Sequence, residues 1–227
     1  MRGNETRYNL PLMLGPFSAI LFDLDGTLVD SYEPIAESLN RVRAHFDLPP
    51  KSLDEVRREV GRGLEHLIAD NVGPDRVDEG VGVFRSHYRQ VFLARTRLMP
   101  GVARTLAALA ARGVPMAITS NKPAYFTREI VEGLGLGGLF LAVLGPEMVD
   151  RPKPDPEMVL KAIEILGRSI GEVLYVGDMR LDIETCRRAG LAVCVIPGGS
   201  DSREELQSAG PDFLLDRFED LPALIGS

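Results

Sequence analysis

Ala19-Ile20-Leu21-Phe22-Asp23-Leu24-Asp25-Gly26-Thr27 sets two aspartates at the end of a short apolar run. The run is too short for a helix of its own and reads as a buried strand. Strand alternation points Asp23 and Asp25 the same way, and Gly26 permits a sharp turn out of the sheet. Two carboxylates then lie side by side at the C-terminal edge of a strand, where open α/β sheets place their ligands. Such a pair raises each other's pKa unless a cation sits between them. A hard divalent ion with oxygen ligands, Mg2+ beside a phosphate, is the natural partner. Taken alone, Asp-x-Asp-Gly fits two surface aspartates at a turn equally well.

The rest of the chain places this strand in an α/β sheet. From Pro100-Gly101 onward, helices and short apolar strands alternate. The spacing predicts helix Val102–Ala111, strand Pro115–Thr119, helix Ala124–Leu134 and strand Leu141–Leu144. It then predicts helix Pro156–Leu166, strand Val173–Val176, helix Leu181–Ala189 and strand Ala192–Ile196. Helices between short strands imply parallel pairing with right-handed crossovers, hence a doubly wound three-layer sandwich. Residues 31–97 carry only helical periodicity. Tyr32, Ile35, Leu39, Val42 and Phe46 share one face, and Pro49-Pro50 closes that helix. Ser52 with Glu55 forms a capping box for a second helix, interrupted at Gly61-Arg62-Gly63, and a third runs from about Asp75 to Arg95. The expected organisation is an N-terminal extension at 1–17, a core at 18–30 and 98–227, and an inserted helical cap at 31–97.

The 227 residues carry a net charge of −7, with 44% hydrophobic and 26% charged residues. That composition supports a normal core and argues against nucleic acid or an anionic membrane as main partner. Cys186 and Cys194 have neither metal-binding nor redox spacing and read as buried thiols of a reducing compartment. The N-terminal segment has two prolines and no small-residue cleavage site, and no run approaches a membrane span. A cytoplasmic protein, as a monomer or a homodimer, is expected.

Polar residues stand at four strand ends. Asp23 and Asp25 are the first, and Thr119-Ser120-Asn121-Lys122 the second. The third is Arg151-Pro152-Lys153-Pro154-Asp155-Pro156, a loop stiffened around one lysine. The fourth is Gly177-Asp178-Met179-Arg180-Leu181-Asp182, where four-residue spacing sets Asp178 and Asp182 on one side of a first helical turn. Each alone has an ordinary explanation, as a helix cap or a solvated charge. Their placement at successive strand ends is what carries information.

With these motifs the chain resembles the haloacid dehalogenase superfamily, in its phosphoglycolate-phosphatase-like branch with a helical cap. The resemblance implies a Rossmann-like core and a Mg2+-dependent phosphatase acting on a small phosphorylated metabolite. It implies Asp23 as the nucleophile forming an aspartyl-phosphate and Asp25 as general acid and base. Thr119 matches the hydroxyl that binds phosphate, with Ser120 the runner-up and Asn121 and the following N–H groups assisting. Lys153 matches the lysine that neutralises nucleophile and phosphate. Asp178 matches a metal ligand, joined by the Asp23 carboxylate and the Asp25 carbonyl, while Asp182 orients bound water or Lys153. A carboxylate at Asp25 argues against dehalogenase chemistry.

In the cap, Arg62 either reaches a second anionic group of the substrate or is a solvated side chain on a kink; Lys122, in the core, is a second candidate for substrate contact. In the first case Arg62→Ala raises KM for a carboxylated substrate more than for p-nitrophenyl phosphate. His45, His66 and His87 share no spacing and read as surface or packing residues. Three alternatives use the same residues: a β-phosphoglucomutase-like isomerase, a pyrophosphatase or nucleotidase, and a non-enzymatic binding protein. Phosphonate hydrolysis needs a cap lysine poised for an imine, and Lys51 after two prolines is poorly suited.

Overall fold

The computed structural model describes residues 17–226. Expectations for residues 1–16 lie outside the described part. In chain order the elements begin β1 (Ala19–Phe22), β2 (Val29–Asp30), α1 (Tyr32–His45), α2 (Leu53–Glu59), α3 (Leu64–Val72) and α4 (Val77–Arg95). They continue β3 (Arg97–Leu98), α5 (Val102–Ala111), β4 (Met116–Thr119), α6 (Ala124–Gly133), β5 (Ala142–Leu144) and α7 (Glu157–Leu166). The last are β6 (Val173–Gly177), α8 (Arg180–Ala189), β7 (Ala192–Val195), α9 (Arg203–Ala209) and β8 (Phe213–Leu214).

The main sheet has six parallel strands in the order β5-β4-β1-β6-β7-β8. All four residues of β1 are buried, as a strand covered on both faces requires. Ile20, Phe22, Ile118, Leu174 and Val176 face one hydrophobic layer, with α5 and α6. Leu21, Ala117, Tyr175 and Val193 face the other, against α7, α8 and α9. The chain winds one way from β1 to β4 and β5, and the other way to β6, β7 and β8. β1 is therefore the point where strand order reverses, and a crevice opens at its C-terminal end. Register sharpens this: Phe22 pairs with Ile118 on one side and Val176 on the other. The next residues outward are Asp23, Thr119-Ser120 and Gly177-Asp178, so three of the polar strand ends meet at one edge.

Helices α1 to α4 form the insert. It leaves and rejoins the sheet domain through an antiparallel ribbon pairing Val29 with Leu98 and Asp30 with Arg97. Phe84, Tyr88 and Phe92 stack along α4 at four-residue spacing, with ring centroids 5.3 Å apart. Phe126 of α6 meets Tyr88 and Phe92 edge-on at 5.0 and 5.1 Å. Burying each such ring stabilises by roughly 2–3 kcal/mol, so this ladder fastens the insert to the core.

Three expectations need correction. The second cap helix is two helices: Gly61 (φ +130°) and Gly63 (φ +95°) hold a backbone that a helix does not permit. A Cβ at Gly61 would run into the Met179 thioether, so the glycine also lets this loop close on the core. Phe17 belongs to the fold rather than to an extension, because it is buried and bridges Ile225. The sheet also continues past the predicted Ala192–Ile196 strand through α9 to β8, a two-residue strand too short to read from periodicity.

Candidate active site

Lys153 is the hub of the site. Its loop is held by Asn121, whose side-chain Oδ1 accepts from Lys153 N (3.1 Å) and whose Nδ2 donates to Lys153 O (2.9 Å). The same Nδ2 also reaches the Gly61 carbonyl of the insert at 3.0 Å. The Lys153 ammonium is buried and donates to Asp23 Oδ1 (2.9 Å), Asp182 Oδ1 (2.8 Å) and Tyr175 Oη (2.9 Å). Burial works against its charge, but the flanking Asp182 and Asp23 carboxylates outweigh burial and hold its pKa well above the ordinary lysine value. Its three hydrogens are thus fixed, and one of them on the Asp23 carboxylate.

Asp178 is fully buried. Thr27 Oγ1 donates to its Oδ1 and Ser200 N to its Oδ2, each at 2.8 Å. Gly26 and Gly199 pass so close that a methyl on either would overlap its carboxylate. Asp182 accepts from Lys153 and lies 3.2 Å from Tyr175 Oη, while its Oδ2 accepts from Asp178 N (3.3 Å) and Met179 N (3.2 Å). It therefore closes the N-terminus of α8 and orients Lys153 together.

Carboxylate oxygens of Asp23, Asp178 and Asp182 lie within 4.8 Å of one another, all buried. Among the described residues, Lys153 is the one cation that pairs with any of them. Burial, only partly offset by Lys153, pushes Asp23 up to about 6. Burial and the neighbouring Asp182 and Asp23 push Asp178 well above the usual carboxylate range. Three carboxylates against one ammonium is an arrangement that a divalent cation fits. Asp182 accepts two hydrogen bonds at each oxygen, whereas Asp178 accepts one at each and keeps a lone pair free on both. That leaves Asp23, Asp178 and the Asp25 carbonyl, which accepts no hydrogen bond among the described residues, as the oxygens open to an ion.

The raised Asp23 and Asp178 values have a consequence for the metal-free protein. The folded state keeps protons there that the unfolded state has already released, so stability falls as pH rises through the range between the two. The unfolding temperature of chelator-treated protein is expected to drop between about pH 4 and about pH 6, as Asp23 titrates, and saturating Mg2+ to flatten that slope. Calorimetry checks this, and a metal-free midpoint that rises with pH contradicts it.

Asp25, buried at the same edge, accepts at Oδ1 from Ser31 Oγ and from Lys122 Nζ (2.8 Å). Lys122 also donates to Tyr88 Oη on α4 at 2.9 Å. Asp23, Asp25, Ser120, Asn121, Lys122 and Lys153 line one cavity with Tyr88 and with apolar residues of the insert. It leaves about 70 Å³ open to water-sized molecules, room for a small ligand.

Two residues expected to touch the substrate, Thr119 and Arg62, stand outside the cavity, and Asn121 lines it in another role. Ser120 lines the cavity and Thr119 does not. β4 ends at Thr119, whose Oγ1 turns to Tyr175 Oη at 3.4 Å. The Asn121 amide is engaged by Lys153 and Gly61, so it positions that lysine rather than offering itself to a phosphate. Arg62 is exposed and paired with Asp70, and it does not line the cavity. Arg62→Ala is therefore expected to change kcat/KM less than about twofold on carboxylated and uncarboxylated esters alike. A KM increase confined to the carboxylated ester would restore Arg62 as a contact. Lys51 pairs with Glu59, His45 with Glu79, and His87 with Ser38, and no histidine lines the cavity.

Tyr175 and Tyr88 were missed. For Tyr175 a signal existed: alternation puts it on the face of Gly177, whose missing side chain makes the space Asp182 fills. Tyr88 read only as part of an apolar stripe.

The haloacid dehalogenase-like hydrolase family profile matches residues 20–196. The chain belongs to this family. It is 36% identical to the phosphoglycolate phosphatase of Aquifex aeolicus over 206 residues, covering 91% of this chain and 95% of the relative. It is 34% identical to that of Rhodospirillum rubrum, covering 92% and 90%. Among solved structures, a predicted phosphoglycolate phosphatase from Haemophilus somnus superposes with a TM-score of 0.85 at 30% identity, covering 92% of this chain and 98% of that one. CbbY from Rhodobacter sphaeroides, solved with phosphate, shares the fold with a TM-score of 0.78 at 23% identity, covering 90% and 96%. The helical insert is the cap of this fold, and the protein is a phosphomonoester hydrolase of the haloacid dehalogenase-like family. No helix among the described residues is long and apolar enough to cross a membrane.

Proposed function

We propose that this phosphatase hydrolyses a small phosphomonoester, 2-phosphoglycolate foremost, through an aspartyl-phosphate on Asp23. The observation that carries this reading is Asp23 itself: a buried carboxylate fixed at one oxygen by Lys153, beside Asp25, at the floor of a small capped cavity. Asp23 attacks phosphorus, the bond from phosphorus to the ester oxygen breaks, and the departing oxygen takes a proton from Asp25. Asp25, now a carboxylate, removes a proton from water. That water attacks phosphorus, releasing inorganic phosphate and Asp23. Lys153 and the Ser120 hydroxyl offset the charge spread over the phosphoryl oxygens. Mg2+ held by Asp23, Asp178 and the Asp25 carbonyl supplies further charge neutralisation when bound. The cap excludes water while the ester is cleaved.

The relatives named phosphoglycolate phosphatase support the substrate. The isomerase alternative is less favoured, because beyond Asp23, Asp25, Ser120, Asn121, Lys122, Lys153 and Tyr88 the cavity wall offers apolar side chains to a sugar's hydroxyls. Free buried Cys186 and Cys194 support a cytoplasmic setting. The test is phosphate release from 2-phosphoglycolate, sugar phosphates, nucleotides and pyrophosphate, with Mg2+ or with EDTA. Turnover is expected to be highest on 2-phosphoglycolate and lost in EDTA. A flat profile, or one led by a sugar phosphate or a nucleotide, argues against the reading.

A further inference from the structure

The cavity wall is apolar where the cap covers it, with Ile35, Leu64, Leu67 and Phe84 facing inward. Two hydrogen-bond donors interrupt this wall, and both have capacity unspent. Lys122 Nζ carries three hydrogens, of which Asp25 Oδ1 and Tyr88 Oη take two. Tyr88 Oη accepts from Lys122 and, among the described residues, donates to nothing. Both groups are nearly sequestered from solvent: the Lys122 side chain is 7% exposed and Tyr88 2%. A buried ammonium and a buried phenol with hydrogens left over ask for an acceptor, and an anionic one above all.

We infer that Lys122 and Tyr88 form the subsite for a carboxylate borne by the substrate one carbon from the ester oxygen. The inference deepens the phosphatase reading and rests on it. The spacing is what selects this class. Asp25 serves the departing ester oxygen, and Lys122 Nζ lies 2.8 Å from Asp25 Oδ1. A group held by Lys122 must therefore sit next to that oxygen, as the carboxylate of a phosphorylated 2-hydroxy acid does. A second phosphate at the far end of a sugar lies several bonds away. Tyr88 stands on cap helix α4 and Lys122 on the core, so this carboxylate is bound from both sides of the cavity.

Isothermal calorimetry with non-hydrolysable probes tests this without needing turnover. The probes are 3-phosphonopropanoate, which keeps the carboxylate, and propylphosphonate, which replaces it by a methyl group. With Mg2+ present, wild type is expected to prefer 3-phosphonopropanoate by about tenfold or more, the worth of one hydrogen-bonded charge. Tyr88→Phe, which keeps the aromatic ladder, should cut that preference several-fold, and Lys122→Met should bring it near one. Equal affinities in wild type, or a preference unchanged in both variants, would overturn the subsite. Phosphate release from 2-phosphoglycolate is read on the same wild-type sample. Selective binding without release would refute the phosphatase reading and leave the carboxylate subsite standing.

Discussion

Asp23→Asn is expected to lower kcat on every phosphate ester by about four orders of magnitude or more, the scale seen when a covalent nucleophile is removed. An amide oxygen does not attack phosphorus, and the other carboxylates of the buried cluster cannot replace Asp23. Asp178 lies behind Thr27 and Ser200, and Asp182 faces protein donors with both oxygens. The fold should survive. Losing one of three clustered carboxylates relieves repulsion, so the metal-free variant should unfold no lower than the wild type near neutral pH. Steady-state assays on 2-phosphoglycolate and p-nitrophenyl phosphate check the first part, and calorimetry the second. Turnover near the wild-type level would sink the covalent assignment.

Lys153→Met should damage both activity and stability. The ammonium is the shared partner of Asp23 and Asp182, and its removal leaves buried carboxylates facing each other. Breaking a buried ion pair from one side costs about 3–5 kcal/mol, which for a chain of this size is a fall of roughly 10 °C in unfolding temperature. Loss of the charge facing the phosphoryl group should lower kcat by about 10²–10³-fold. The double variant Lys153→Met/Asp182→Asn separates the two effects. It should regain much of the lost stability, since one unpaired charge is gone, while turnover stays low. A single variant that unfolds like the wild type would show that Lys153 does not hold the cluster together.

The sheet was legible because its strands are short apolar runs ending in turn residues, a pattern that a doubly wound fold repeats at each crossover. Asp23, Asp25, Lys153, Asp178 and Asp182 could be singled out for the same reason: each follows a strand. Thr119 and Ser120 show where this stops. They differ by one position, and one position at a strand end decides which face a side chain takes. The direction of Arg62 was equally hidden, because a loop between two glycines has no periodicity to orient it. Tyr88 satisfied a helical stripe whether or not its hydroxyl met Lys122, for that contact joins residues on the cap and the core. Such long-range polar contacts depend on how the two layers pack, which no local pattern records.

Trapping the phosphoryl group on the protein tests the central claim most directly. Enzyme turning over 2-phosphoglycolate with Mg2+ is quenched in acid within milliseconds, digested at low pH, and its peptides are weighed. The peptide containing Asp23 is expected to carry one phosphoryl group that hydroxylamine removes, as it does from an acyl phosphate. Rapid phosphate release with every peptide unmodified, or with the phosphoryl group on another residue, would contradict the account.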